Sequence, residues 1–310
     1  MTGPPESSGN GDTPAPGLPS VEAPQRVSGM RLPEHWTQPG RPAELDPAAE
    51  DAWRQSGFLL GEQLALLERG FELQLRLATT GYQPAARTMT MAALASQWSR
   101  ALTAQSEALS LTRRGGYGTA VALVRQAVEL VAAQIALAEG EIDEFRRWAH
   151  HSYERHEPTR AEEVGLGHYF AGEAIAGDEA LRLLYRAASD LARPNFGATA
   201  LFVAGEAGRS RYPLIFGDQA FHLGWGQLLT GWLALLGERQ IHFALHARAQ
   251  FPAGEELRAE AVAWVRDAEA LRDAPDRCRL EEWSDEEGRR RHLLLGFRRR
   301  PGDAPQRILL

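Results

Sequence analysis

Arg125 and Glu129 stand four residues apart in a run otherwise dominated by Val, Leu, Ala and Ile, so their side chains share one helix face. Charges in such a setting lose water, and a desolvated pair is tolerated only with further hydrogen-bond partners. The pair reads either as a salt bridge that fixes helix register or as part of an internal polar pocket. Glu238, His242 and His246 recur at i, i+4 and i+8, with His222 upstream, and two histidines one turn apart can chelate a metal. There is no His-Glu-x-x-His motif and no second acidic stripe of the di-iron kind. Half-exposed histidines are therefore expected, with no metal and no other cofactor.

All 34 residues counted as Lys+Arg are arginine. The absence of lysine removes Schiff-base chemistry, the P-loop lysine and the kinase strand lysine. A guanidinium stays charged and suits fixed recognition of phosphate or carboxylate better than proton transfer. The exclusive use of arginine points to the coding bias of a high-GC bacterial source. Cys278 is the one cysteine, which excludes a disulfide framework and zinc sites built on several thiolates. It lies between Arg277 and Arg279, which would lower its pKa, but no base is placed beside it by sequence. No Gly-x-Ser-x-Gly elbow is present. A net charge of −7 argues against holding nucleic acid by bulk electrostatics.

The elements that must position these residues are mostly helical. Residues 1–46 carry half of the prolines and read as a disordered Pro/Gly-rich tail with no secretory signal, so a cytoplasmic location is expected. Residues 47–275 read as a helical bundle domain and 276–310 as a β-hairpin with a C-terminal tail. Trp53, Leu60, Leu64, Leu67 and Phe71 form one apolar helix face, and Met91, Leu94, Trp98 and Leu102 a second, ending at Gly115-Gly116. The span from Tyr117 to Ala138 is apolar nearly all round and should be central. As a membrane span it would carry two mid-span charges, at roughly 2.5–3.5 kcal/mol each, so no membrane contact is expected.

A polar fourth helix carries Ile142, Phe145 and Trp148 with Arg146, Arg147, His150, His151 and His156 around them, and residues 158–177 read as a loop. Asp178 should cap a fifth helix stopped by Pro194. Residues 218–250 read as a sixth, although 241–251 also alternates like a strand. A short helix over 255–271 precedes a hairpin of residues 277–283 and 289–299, whose arginines face the acids of its first strand and turn. Cross-strand ion pairs, a basic ribbon for phosphate, or an edge for self-association would each use that charge. The fold class is all-α, a multi-helix bundle with a small C-terminal β-hairpin.

The segment Ser110-Leu111-Thr112-Arg113-Arg114-Gly115-Gly116-Tyr117, followed by Ala120, Leu123, Arg125 and Glu129, resembles a widespread bacterial family of uncharacterised helical proteins. The second part of the resemblance is Tyr185-Arg186-Ala187-Ala188-Ser189-Asp190-Leu191-Ala192-Arg193-Pro194, where members show Tyr, then Ser, then His-Pro. This sequence has Arg193 at the histidine position. The resemblance covers about residues 105–200. That family in turn is distantly similar to the HEPN superfamily, helical bundles that include metal-independent ribonucleases of toxin and defence systems. Their arginine and histidine flank an RNA phosphate, where one stabilises charge and the other moves a proton. If Arg186 is that arginine, its partner has become Arg193, which keeps charge but cannot transfer protons. Arg146 and His151 match the Arg-x4-His spacing in the polar helix.

The leading expectation is a binding or interaction module with an internal polar pocket for a phosphate or nucleotide. Arg125, Glu129, Ser189 and Arg193 would line it, with Tyr117 and Tyr185. The partner is then a small anionic ligand or a protein. The alternative is a HEPN-like endoribonuclease using Arg146 and His151 on RNA. A further alternative is a structural protein that forms homo-oligomers through its hairpin.

Overall fold

The structure, a computed structural model, describes residues 31–81, 89–139, 171–203, 210 and 215–310. Among the described residues, nine helices form an all-α bundle and three antiparallel strands form a small C-terminal sheet.

Helix α1 (Pro47–Leu59) starts where the Asp46 carboxylate accepts from the N–H groups of Ala48 and Ala49, with Pro47 at the first position. Helix α2 (Gly61–Gly81) follows a break at Leu60, so the apolar face expected as one helix is two. Gly57 and Gly61 flank the break and weaken the helix there. Leu60, Leu64, Leu67 and Phe71 are still all buried. Helix α3 (Met89–Arg113) ends at the glycine pair: Gly116 N–H donates to the Leu111 carbonyl, and Gly115 adopts a φ of +77°.

Helix α4 (Tyr117–Glu139) is the central helix, packed on α3, α5 (Ala171–Ala176), α6 (Glu179–Ala192) and α8 (Leu223–His246). Among the described residues it alone is long and apolar enough to cross a membrane, and most of its apolar window is buried inside the bundle. Residues 171–176 of the expected loop are helical; residues 158–170 lie outside the described residues. Helix α6 starts at Asp178, whose carboxylate accepts from Leu181 N–H at 2.9 Å, and ends before Pro194. Helix α7 (Phe196–Val203) precedes α8, which takes in residues 241–246 of the ambiguous stretch, whereas residues 218–222 and 247–250 of the expected sixth helix are not helical. Helix α9 (Glu255–Asp273) packs on α2 and α8. Inside the bundle a chain of buried amides joins three helices: Gln105 on α3 donates to Gln240 on α8 at 2.7 Å, and Gln240 donates to Gln134 on α4 at 3.0 Å.

Two segments differ from the sequence expectation. Residues 31–46 run along the bundle, with Trp36 N–H donating to Glu72 at 2.6 Å and the Gln38 amide to the Ser106 carbonyl at 2.9 Å. The Trp36 ring meets Phe71 edge-on at 6.4 Å, an aromatic anchor that a proline-rich count overlooks. The C-terminal tail is a third strand. Strands β1 (Arg279–Ser284), β2 (Arg290–Phe297) and β3 (Gln306–Leu309) pair in that order, with Glu282 opposite His292 and Leu293 opposite Leu309. Gly296, at a φ of +70°, sits in the register shift between Leu294 and Phe297. Leu223 and Gly224 at the start of α8 donate to the carbonyls of Arg299 and Arg298, and Leu294, Phe297 and Cys278 join the helical core.

Candidate functional site

Helix α6 carries Arg182, Arg186 and Ser189 at steps of four and three, one polar stripe with Tyr185 beside it. Helix α4 brings Arg125 to that stripe. Its Nε donates to Ser189 Oγ at 3.0 Å, and its Nη2 donates to Tyr185 Oη at 2.9 Å and Glu129 Oε1 at 3.3 Å. The guanidinium also lies 5.1 Å from the Tyr185 ring centroid. Four of the six expected pocket residues therefore meet. The Arg125 and Glu129 side chains are 37% and 28% exposed, so the pair is half-buried and not desolvated as expected. Packing of α6 against α4 covers the pair only partly. Because Tyr185 and Ser189 both belong to α6, Arg125 acts as a clamp that sets the rotation of α6 on α4.

Arg193 and Tyr117 stand apart from this cluster. Arg193 follows the last turn of α6, its N–H donating to the Ser189 carbonyl, and its exposed side chain pairs with Asp190 at 3.7 Å. Tyr117 is in the core, where its hydroxyl accepts from His222 N–H at 2.9 Å and its ring stacks near Trp225. Burial pushes its phenol well above the usual range.

The stripe also borders a cleft of about 540 Å³ between α6, α8 and β1. Arg182 and Arg186 line it from α6, Arg239 from α8, and Asp178, Glu179 and Glu282 supply its carboxylates. Arg182 faces Glu179 at 3.4 Å, Arg186 faces Glu282 at 3.6 Å, and Arg239 faces Asp178 at 3.3 Å. Glu282 also meets Arg290 at 3.6 Å. Its cross-strand neighbour His292 lies 3.9 Å from Asp190, and burial pushes that imidazole below its ordinary pKa. The sequence reading missed this cleft because its walls come from helices and a strand far apart in the chain. The spacing of Arg182 and Arg186, one turn apart, was the one available signal.

The metal candidates rearrange. Glu238 and His242 meet Glu269 of α9, their ligand atoms within 4.8 Å of one another, whereas His246 Nδ1 lies 2.8 Å from the His242 carbonyl of its own helix. Arg272 contacts the buried Glu238 carboxylate and Arg239 approaches it at 3.6 Å, so guanidinium groups already supply its counter-charge. Cys278 also departs from expectation: burial pushes its thiol up to about 12, outweighing Arg277 and Arg298. Arg277 is buried too, donating to the Gln227 carbonyl and to Thr230 Oγ1, and burial pulls its pKa down to about 10. In the hairpin, Arg289 pairs with Asp285 at 2.7 Å and Glu287 at 2.9 Å, and Arg291 meets Asp285 at 3.6 Å. Arg146 and His151, with His150 and His156, lie outside the described residues.

Fold and site together define a helical bundle with a C-terminal sheet and an arginine-lined cleft. No family model matches the chain. No curated protein and no solved structure matches it either.

Proposed function

We propose that the chain is a binding module, and not an enzyme, that holds a small ligand by a phosphate or carboxylate group in the cleft along α6. The observation that carries this reading is the convergence of Arg182, Arg186 and Arg239 on one cleft of about 540 Å³. Guanidinium groups match the geometry of both anions and hold their charge at any working pH. Arg125 serves the site indirectly, by fixing the helix that presents Arg182 and Arg186.

A thermal-shift series with inorganic phosphate, citrate and AMP tests the reading. Stabilisation by at least one of them, abolished in the Arg182→Gln/Arg186→Gln double variant, is expected. No shift with any of the three at 10-fold steps up to high millimolar concentration would remove the proposal. The HEPN-like ribonuclease reading rests on Arg146 and His151, and no observation among the described residues favours it. Its own test is cleavage of single-stranded RNA that survives EDTA and is lost in His151→Ala.

A further inference from the structure

The cleft holds as many carboxylates as guanidinium groups. Asp178, Glu179 and Glu282 balance Arg182, Arg186 and Arg239, so a polyanion entering it would meet repulsion beside every attraction. The three pairs are also loose, at 3.3–3.6 Å. Charge-assisted hydrogen bonds close to about 2.7–2.9 Å when nothing prevents it. Some other surface pairs do so, as in Arg76–Glu260 at 2.7 Å and Arg289–Asp285 at 2.7 Å, while Arg113–Glu68 at 3.4 Å and Arg193–Asp190 at 3.7 Å are as long as the cleft pairs. Both members of each cleft pair are open to solvent, so a ligand in the cleft can reach them. Among the described residues the lining contains no aromatic ring and only Ala180 and Leu183 as apolar side chains, so a ring would find little apolar surface to cover it.

We infer that the ligand is a compact, non-aromatic zwitterion, whose anionic group lies between Arg182 and Arg186 while its ammonium group is received by Glu179 and Glu282. The Arg182–Glu179 and Arg186–Glu282 pairs then open, and both members of each gain an opposite charge from the ligand. No carboxylate is left facing an anion alone. Asp178 stays in place because its carboxylate also caps α6. Arg239, paired with Asp178 and held near Glu238, closes the far wall. This inference rests on the anion-binding reading above and adds the requirement for a cation in the same molecule.

Calorimetric titration with O-phosphoethanolamine and with ethyl phosphate isolates that requirement, since the second keeps the phosphate and the two-carbon chain and lacks the ammonium group. Tighter binding of O-phosphoethanolamine by tenfold or more is expected. Glu179→Gln, a change at an exposed side chain, should reduce that preference at least threefold while leaving the melting temperature near the wild-type value. Equal affinity for the two compounds would overturn the zwitterion and leave the anion site standing. Absence of binding by both, and by inorganic phosphate, would overturn the anion site as well. AMP binding more tightly than O-phosphoethanolamine would contradict the non-aromatic ligand.

Discussion

Arg125 shows what a charged residue does on a helix that is buried on most sides. Its three hydrogen bonds reach one residue of its own helix and two of α6. Arg125→Gln removes the charge and most of this geometry, and a destabilisation of about 1–3 kcal/mol is expected from the partners left unpaired, read from urea denaturation. Inside the core, Gln240→Leu should cost a similar amount, about 1–3 kcal/mol, because Gln105 and Gln134 both lose their shared partner. His222 makes a pH-dependent contribution. Its Nδ1 accepts from Trp225 N–H at the start of α8, its ring lies against Phe297, and burial followed by Arg299 pulls its pKa down to about 4. The unfolded chain takes up this proton near pH 6.5 and the folded chain only near 4, so the contribution is complete above 6.5 and declines as pH falls between those values. A His222→Asn variant, which keeps a capping acceptor, should show a shallower loss of urea midpoint over that window than the wild type.

The elements divide by how local their determinants are. The start of α1 at Asp46-Pro47, the start of α6 at Asp178 and its end at Pro194 follow from adjacent residues, and the last two, with a domain start at residue 47, were legible in the sequence. So was the end of α3, where Gly115 must take a positive φ. A Cβ there would fall 1.9 Å from the Gln219 carbonyl oxygen, so Gly115→Ala should destabilise the chain more than any other glycine-to-alanine change outside the core, measured by thermal melting. Strand β3 was not legible, because four residues pair with β2 only once β2 has been placed against α8. Deleting residues 304–310 should uncover the β2 edge and speed reaction of Cys278 with a thiol reagent, whereas the intact chain keeps that thiol buried and protonated at neutral pH. Unchanged labelling would mean that β3 does not hold the sheet closed.

At the scale of the whole molecule, the expected all-α bundle with its C-terminal hairpin is present, while the site is only partly as expected. Of the cluster, Arg125 and Glu129 were legible from their spacing, and Tyr185 and Ser189 from the family resemblance, on two helices that pack directly. The cleft was not, since Arg239 and Glu282 reach α6 through the packing of α8 and the sheet, which no local pattern encodes. One further segment, residues 31–46, follows the bundle because a single tryptophan and a few side-chain bonds anchor it, a signal diluted in a proline-rich composition. These tertiary placements gather solvated arginines onto one surface, with α6 as its spine. Calorimetric titration of inorganic phosphate into the wild type, the Arg182→Gln/Arg186→Gln variant and an Arg76→Gln control measures that surface most directly. Saturable binding that weakens at least tenfold in the double variant and is unchanged in Arg76→Gln is expected; equal binding by all three proteins, or by none, would contradict an anion site at α6.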